Sequence, residues 1–160
     1  MELDSLFANS LDRFASRPCL VCPRQGQRTY GEVIEEAGRF QTRLPVTKQL
    51  VFIEARNSIA SIVSYLGALR GGHAAHLLDP DKEDDNAALL ATYDPNVLVR
   101  CTQENYSVEQ RHDRDLRIHP ELAILLSTSG STGSKKFVKL SSLNIQSNTQ
   151  SIVEYLGMEA

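Results

Sequence analysis

The residues with the clearest chemical potential form one uninterrupted segment. Residues 127–136 read STSGSTGSKK, and eight of these ten residues are Ser, Thr or Gly. Such a composition is typical of a flexible linker, but it is also typical of a backbone loop that holds a phosphate. In the second case Gly130 and Gly133 let successive backbone N–H groups point into one concavity, hydroxyls add donors, and Lys135 and Lys136 supply positive charge.

The sequence on both sides of this segment favours the phosphate interpretation. ELAILL precedes the segment and FVKLSSLNI follows it. Both flanks are apolar enough to be regular and buried, whereas a linker is bordered by exposed polar sequence. The segment is not a Walker A motif, because only two residues separate Gly130 from Gly133, where that motif needs four before its Gly-Lys-Ser/Thr.

The elements that must position this segment alternate between strands and helices. Apolar runs predict strands at residues 19–22, 27–30, 50–53, 74–78, 96–101, 122–126 and 137–140, with room for one short strand in the polar stretch 102–119. Helical spacing of apolar residues predicts helices over 4–17, after Thr29, after Asn57, near 83–93 and after Ser141 or Ser142. This alternation predicts an α/β fold, a layered α/β/α arrangement with a mostly parallel sheet.

Three helix starts carry capping signals. Thr29 is followed three residues later by Glu32, which predicts a capping box. Asn57 is the predicted cap of the next helix, whose apolar stripe ends at Gly71 and Gly72. Ser141 or Ser142 is the predicted cap of the last helix, whose apolar face is predicted to consist of Ile145, Ile152, Val153 and Leu156.

The composition excludes several classes of function. The chain has 160 residues, which is one domain's worth, and its net charge is −3, so no basic field points to nucleic acid or an anionic membrane. Aromatic residues make up 6% and Trp is absent, which argues against a base-stacking surface. No apolar run approaches the roughly 20 residues of a membrane helix, and the acidic start lacks signal-peptide character. We therefore expect a cytoplasmic protein.

The other reactive side chains have ordinary interpretations. Cys19 and Cys22 form a single CxxC inside an apolar strand, which favours buried structural thiols over a metal or redox site because no second ligand pair completes a zinc site. His73 and His76 are expected to be packing or surface histidines, and His112 and His119 to be solvated. The acidic run 79–85 lacks the pattern of a calcium loop and is expected to be a solvated turn.

A resemblance adds to this interpretation. STSGSTGSKKFVKLSSLN resembles the phosphate-loop signature of the adenylate-forming, AMP-binding synthetases and ligases, which include acyl-CoA synthetases, peptide-synthetase adenylation domains and firefly luciferase. Two upstream elements are similar to that family in the same order, TYGEV at 29–33 and LRGGHAAHLLD at 69–79. Three positions depart from the family pattern: Lys135 replaces a common Pro, Phe137 a common Gly, and Ser142 a common His.

The resemblance implies a fold, a reaction and a set of site residues. The fold would be the N-terminal subdomain of an acetyl-CoA-synthetase-like enzyme, with residues 1–160 as a partial subdomain and the C-terminal part of the family fold absent. The reaction would be activation of a carboxylic acid with ATP and Mg²⁺, followed by transfer to the thiol of CoA or of a carrier protein. The resemblance assigns the β- and γ-phosphates to Thr128, Ser129, Gly130, Ser131, Thr132, Gly133 and Lys136. No catalytic residue and no metal ligand is assigned.

Two hypotheses about activity stay open at this point. In the first, the chain is part of an AMP-forming acid–thiol ligase and is inactive by itself. In the second, it is a non-catalytic module that binds a nucleotide weakly or serves as an interaction scaffold. Because unpaired strand edges and uncovered apolar surfaces favour association, we also expect the isolated chain to associate with itself.

Overall fold

The computed structural model describes residues 11–127 and 137–158 of the chain. Within these ranges the chain alternates between strands and helices, as the apolar pattern predicts. The elements, in chain order, are β1 (Pro18–Cys22), β2 (Gly26–Thr29), α1 (Tyr30–Gln41), β3 (Leu50–Glu54), α2 (Ile59–Arg70), β4 (Ala74–Leu78), α3 (Glu83–Tyr93), β5 (Val97–Cys101), β6 (Tyr106–Gln110), β7 (Leu122–Ser127), β8 (Phe137–Ser141) and α4 (Ser142–Leu156).

Six of the strands form one sheet in the order β6-β5-β3-β4-β7-β8. The pairs β5–β3, β3–β4 and β4–β7 are parallel, whereas β6 and β8 pair antiparallel at the two ends. The prediction of a mostly parallel sheet is therefore confirmed. Because β3, β4, β5 and β7 run in one direction, their carboxyl ends lie at the same edge of the sheet, where the loops of open α/β folds bind ligands.

Both faces of the sheet are covered, which gives the predicted α/β/α layers. On one face Val51 and Ile53 of β3 are fully buried in a cluster with apolar residues of α1 and α2. On the other face Phe52 is fully buried in a cluster with Leu89 of α3. Burial on both faces explains why β3 reads as a continuous apolar run instead of alternating with polar residues.

The helices α1 and α2 lie against each other with very little space between them. A Cβ atom added at Gly67 of α2 would lie 2.6 Å from the Ala37 carbonyl oxygen and 2.7 Å from Cδ1 of Phe40, both on α1. A methyl group at position 67 would therefore push the helices apart. The predicted capping box of α1 is confirmed, because the side chain of Thr29 accepts from the Glu32 amide and the side chain of Glu32 accepts from the Thr29 amide.

The predicted cap of α2 is wrong by one residue. The cap is Ser58, whose side chain accepts from the Ser61 amide at 3.3 Å, and not Asn57. The first helical residue is Ile59, and its amide donates to the side chain of Gln25 in the β1–β2 turn at 3.0 Å. Contacts with the distant hairpin turn thus help to fix where the helix begins, and a local pattern does not show them.

The predicted helix over residues 4–17 lies partly outside the described residues, and its described part is different. Asp12–Phe14 form a short 3₁₀ turn. The carbonyls of Ala15 and Arg17 accept from the amides of Gly31 and Tyr30. This backbone is therefore bonded to the first turn of α1 and does not continue as an α-helix.

The last helix forms where it was predicted but is hardly buried. Ser141 is its cap, in a second capping box with Asn144. No residue of α4 is buried, and its apolar side chains at Leu143, Ile152 and Leu156 are 65%, 47% and 60% exposed. The expected apolar face exists, but within the described residues only its Ile145 edge packs against the core.

Candidate functional site

The segment that the sequence singles out joins the two strands at one end of the sheet. Ser127 is the last residue of β7 and Phe137 is the first residue of β8, and the two residues pair directly in the β7–β8 ladder. The predicted phosphate-binding residues lie between these two positions and outside the described residues, and their assignment stays a prediction. They are Thr128, Ser129, Gly130, Ser131, Thr132, Gly133 and Lys136.

The location of Ser127 and Phe137, which border the segment, suits a ligand site. Ser127 ends a strand that is parallel to β4, so the segment starts at the edge of the sheet that also holds the carboxyl ends of β3, β4 and β5. Backbone and side-chain donors that follow such a strand face the crevice at that edge, which is where nucleotides bind in open α/β sheets. The fold therefore places both ends of the segment where a phosphate loop would be useful.

Phe137 explains one departure from the family pattern. It is an ordinary strand residue of β8, and the non-glycine residues with positive φ among those described are Asp94 and Arg117. Its ring stacks on Tyr93 with a centroid distance of 4.3 Å and lies 4.4 Å from the ring of His76. The backbone therefore needs no glycine here, and the aromatic ring adds a contact with the face of the sheet that α3 covers.

A groove of about 780 Å³ runs beside β8. Its lining is mainly apolar and includes Leu122, Leu125 and Phe137, and the cationic side chains of Arg117 and Lys139 also line it. Lys139 is exposed in the middle of β8 and brings a cation to the strand that follows the segment. Phe137, which directly follows the segment in the sequence, lines this groove.

The two histidines at β4 are both buried, as packing histidines should be. His73 precedes the strand, and its Nδ1 accepts from the Gln49 amide at 3.0 Å. Burial and the nearby Lys48 charge lower the pKa of His73 to about 4, so the ring is neutral near pH 7. His76 lies inside the strand and faces the incoming flank of the segment, where its Nδ1 lies 2.8 Å from the Leu125 carbonyl oxygen.

The two histidines of the polar stretch 102–119 differ in their exposure. His119 is exposed, as expected. His112 contradicts the expectation that it is solvated: its side chain is 14% exposed, and its Nε2 lies 2.9 Å from the Asp94 carbonyl oxygen. Asp94 also forms salt bridges with Arg111 and Arg114. These contacts hold the connection against the end of α3 and serve the fold.

The cysteines and acidic residues form no metal site in residues 11–127 and 137–158. Cys19 and Cys22 are free and half-buried in β1, less buried than expected. Cys101 is buried, and burial raises the pKa of its thiol. The acidic run after β4 is mostly exposed at the start of α3, as expected, and Asp79 pairs with Lys82 there.

The contact that sequence reasoning missed is the link from His76 to both flanks of the segment. A histidine inside an apolar strand was a visible signal, since HAAHLL interrupts an apolar run twice. Its partners, Leu125 and Phe137, lie 49 and 61 positions further along the numbering, and nothing local shows that they are near.

Comparisons with known proteins rest on structure alone. Neither a protein-family profile nor a curated protein matches the sequence. Among solved structures, VinN in complex with 3-methylaspartate superimposes with a TM-score of 0.79 at 19% identity, over 100% of this chain and 53% of that chain. O-succinylbenzoate Coenzyme A synthetase (MenE) from Bacillus subtilis, in complex with AMP, superimposes with a TM-score of 0.72 at 17% identity, over 93% of this chain and 45% of that chain.

A third structure, ATP-bound MatB from Rhodopseudomonas palustris, gives a TM-score of 0.66 at 22% identity, over 96% of this chain and 37% of that chain. The chain has the fold of the N-terminal subdomain of acyl-CoA-synthetase-like enzymes. It spans about half or less of the length of the three proteins with which it is compared. Across the residues that the structure describes, no helix combines the length and the apolar character needed to cross a membrane.

Proposed function

We propose that this chain is the phosphate-binding part of an AMP-forming enzyme that activates a carboxylic acid with ATP. The observation that carries the proposal is the position of residues 128–136. They join β7 to β8 at the carboxyl edge of the parallel sheet, in a fold shared with proteins whose structures contain ATP or AMP. Their composition, rich in hydroxyls and glycines and ending in lysines, suits the β- and γ-phosphates.

The proposed residues have complementary roles. Gly130 and Gly133 allow backbone N–H groups to approach the phosphate oxygens closely. The neighbouring hydroxyls donate further hydrogen bonds, and Lys136 neutralises charge that builds up as pyrophosphate leaves. The hydroxyl residues that share this role are Thr128, Ser129, Ser131 and Thr132. The Mg²⁺ would arrive as part of MgATP and would neutralise further phosphate charge.

The proposed reaction has two balanced steps. A carboxylate oxygen attacks the α-phosphorus of ATP, the bond to the bridging oxygen breaks, and pyrophosphate leaves with the electron pair. The thiolate of CoA or of a carrier protein then attacks the acyl carbon, and AMP leaves. Residues 128–136 act in the first step, by holding the leaving group in place. In this proposal residues 1–160 are part of the N-terminal subdomain of a larger cytoplasmic ligase.

Substitution of two lysines tests the proposal on the 160-residue chain. Lys136→Ala removes the proposed phosphate ligand, and Lys139→Ala removes an equal charge from an exposed position of β8 three residues further on. We expect Lys136→Ala to weaken MgATP binding by about tenfold, because a charge-assisted hydrogen bond is lost. Lys139→Ala should change binding much less.

Calorimetric titration with MgATP measures both variants against the wild-type chain. Equal affinities for the two variants would contradict the assignment of Lys136. If the wild-type chain bound no MgATP at millimolar concentration, phosphate binding by this part of the chain would be contradicted as well.

The proposal that the chain associates with itself rests on a separate observation. The apolar side chains of Leu143, Ile152 and Leu156 in α4 are exposed, and so are Leu126 and Val138, which pair with each other in the β7–β8 ladder. Contiguous apolar surface favours association in water. Light scattering at increasing concentration tests this, and a monomer throughout would contradict it.

A further inference from the structure

One buried side chain contacts both flanks of the proposed phosphate loop. His76 lies in the middle of β4 and is 3% exposed. On one side its Nδ1 lies 2.8 Å from the carbonyl oxygen of Leu125, two residues before the end of β7. On the other side its ring lies 4.4 Å from the ring of Phe137, the first residue of β8. The incoming and outgoing strands therefore meet on the same imidazole.

The contact with Leu125 is a directional hydrogen bond. A carbonyl oxygen can only accept, so the Nδ1 of His76 carries the proton and donates it. Within a buried site, loss of this donor would leave the carbonyl oxygen unsatisfied, which costs more than the hydrogen bond gains. The bond thus fixes the position of the Leu125 backbone relative to β4.

This hydrogen bond matters because the pairing of β4 with β7 is short. The two strands share a single register pair, Ala75 with Ile124, whereas β3 and β4 share five pairs. A cavity of about 130 Å³ lies along the same strands and is lined by His76, Leu77 and Ser127. Beyond Ile124, therefore, little backbone pairing among the described residues connects β7 to β4, and the side chain of His76 supplies an additional connection between these two strands.

The contact with Phe137 belongs to an aromatic cluster on the face of the sheet that α3 covers. Phe137 stacks on Tyr93 of α3 at 4.3 Å, and His76 packs edge-on against Phe52 of β3 at 5.0 Å. Phe52 is fully buried in the core. Through His76 and Tyr93 the first residue of β8 is thus packed against the central strand and α3, and aromatic contacts of this geometry are favourable beyond the apolar area that they bury.

We propose that His76 is a positioning residue for the two flanks of the 128–136 segment: through Leu125 and Phe137 it fixes how the end of β7 and the start of β8 are placed relative to each other. Its effect on ligand binding rests on the proposed function, whereas its effect on the flanks does not. A phosphate loop needs such support, because donors displaced by about 1 Å lose most of their benefit.

Three variants separate positioning from a general loss of stability. His76→Leu removes both the hydrogen bond and the ring. His76→Asn keeps a nitrogen donor close to the position of Nδ1 and removes the ring. His73→Leu is the matched control, because His73 is an equally buried histidine that directly precedes β4. Its Nδ1 accepts from the Gln49 amide, which is not part of either flank of the segment.

The first measurement needs no ligand. Amide hydrogen exchange of the 160-residue chain is compared at residues 126–127 and 137–138 and, as the internal reference, in β3 and β5. We expect His76→Leu to speed up exchange at the flanks by about tenfold beyond its effect on the reference strands, and His76→Asn to restore part of the protection. His73→Leu should affect the flanks no more than the reference strands. Equal behaviour of His76→Leu and His73→Leu, or no recovery in His76→Asn, would overturn the proposal.

The second measurement uses inorganic pyrophosphate as the probe, titrated calorimetrically. We expect about tenfold weaker binding in His76→Leu, an intermediate value in His76→Asn and wild-type affinity in folded His73→Leu. Wild-type affinity in both His76 variants would overturn the positioning role. If the wild-type chain binds no pyrophosphate, the proposed function fails instead, and the exchange experiment alone decides whether His76 positions the flanks.

Discussion

Two parts of the sheet differ in how they are held together: the central half, which consists of β5, β3 and β4 with α1 and α2, and the outer half, which consists of β7 and β8 with α4. In the central half, β3 is buried on both faces and pairs along its length with β4 and β5, while α1 and α2 cover one face. In the outer half, β7 joins β4 through one register pair, β8 forms the edge, and no residue of α4 is buried. The segment that we propose to bind phosphate connects the two strands of the outer half, β7 and β8.

This difference suggests that stability and the proposed ligand binding depend on different parts of the fold. The central half contains most of the buried apolar area and therefore most of the stability. The outer half has fewer buried contacts, and ligand-binding segments are commonly found in such regions of lower local stability. His76 and Phe52 belong to the central half, and their contacts with Leu125 and Phe137 connect the flanks of the proposed site to it.

The largest expected effect comes from the same substitution made in each half. Ile53 of β3 is fully buried, whereas Ile152 of α4 is 47% exposed. Ile53→Ala should lower the free energy of unfolding by about 3 kcal/mol, because it removes buried methyl groups and leaves a cavity. Ile152→Ala should lower it by less than about 1 kcal/mol. Urea denaturation measures both, and equal losses would contradict the division into a stable and a weakly held half.

Two glycines test the tight contact between α1 and α2 in the central half. A Cβ at Gly67 would meet the Ala37 carbonyl oxygen at 2.6 Å, whereas a Cβ at Gly38 of α1 would have 3.9 Å to Nη1 of Arg70. Gly67→Ala should therefore destabilise the fold by about 2 kcal/mol despite the better helix propensity of alanine. Gly38→Ala should stabilise it by about 0.5 kcal/mol. Thermal unfolding distinguishes the two, and a stabilising Gly67→Ala would show that the helices are not in close contact.

His73 predicts how the central half responds to acid. Its pKa is lowered to about 4, chiefly by burial and also by the Lys48 charge, so the unfolded chain takes up this proton more readily than the folded one. The stability that depends on the neutral ring is therefore present above pH 6.5 and is lost as the pH falls towards 4. In His73→Asn the amide oxygen can still accept from Gln49 but does not titrate.

The wild-type chain should lose about 2 kcal/mol more stability than His73→Asn between pH 7 and pH 4. Denaturation curves at both pH values give the difference. The same pH dependence in the two proteins would mean that His73 is not held neutral by the fold.

The smallest expected effect concerns the start of α2. Ser58→Ala removes the observed cap and should cost about 1 kcal/mol of stability, whereas Asn57→Ala changes a neighbouring exposed side chain and should cost less than 0.5 kcal/mol by the usual range for surface positions. If the order of the two losses were reversed, Asn57 would be the cap, as the sequence alone had suggested.

The comparison of the halves also shows what the sequence could predict. Local signals were sufficient for β3, whose apolar run predicts burial on both faces, and for the Thr29–Glu32 capping box. They failed where a distant contact decides the outcome, as at Ser58, where the hairpin turn helps to fix the helix start. The apolar pattern of α4 predicted which side chains form its apolar face, but such a pattern does not show what covers that face.

The candidate site was predictable to the same extent. Composition and glycine spacing indicated the segment, and its flanks correctly predicted β7 and β8. The strand order that brings β4 next to β7 and the aromatic cluster around Phe137 could not be predicted, because they depend on residues far apart in the sequence. The contacts of His76 with Leu125 and Phe137 could for that reason be found only in the structure.

One titration tests the central claim that the weakly held half carries the nucleotide phosphates. MgATP is added to the isotopically labelled 160-residue chain while the backbone amide resonances are followed. The account predicts saturable shifts concentrated in residues 126–138, with the strands β3 and β5 almost unchanged. Shifts confined to the central half, or none at millimolar MgATP, would contradict it.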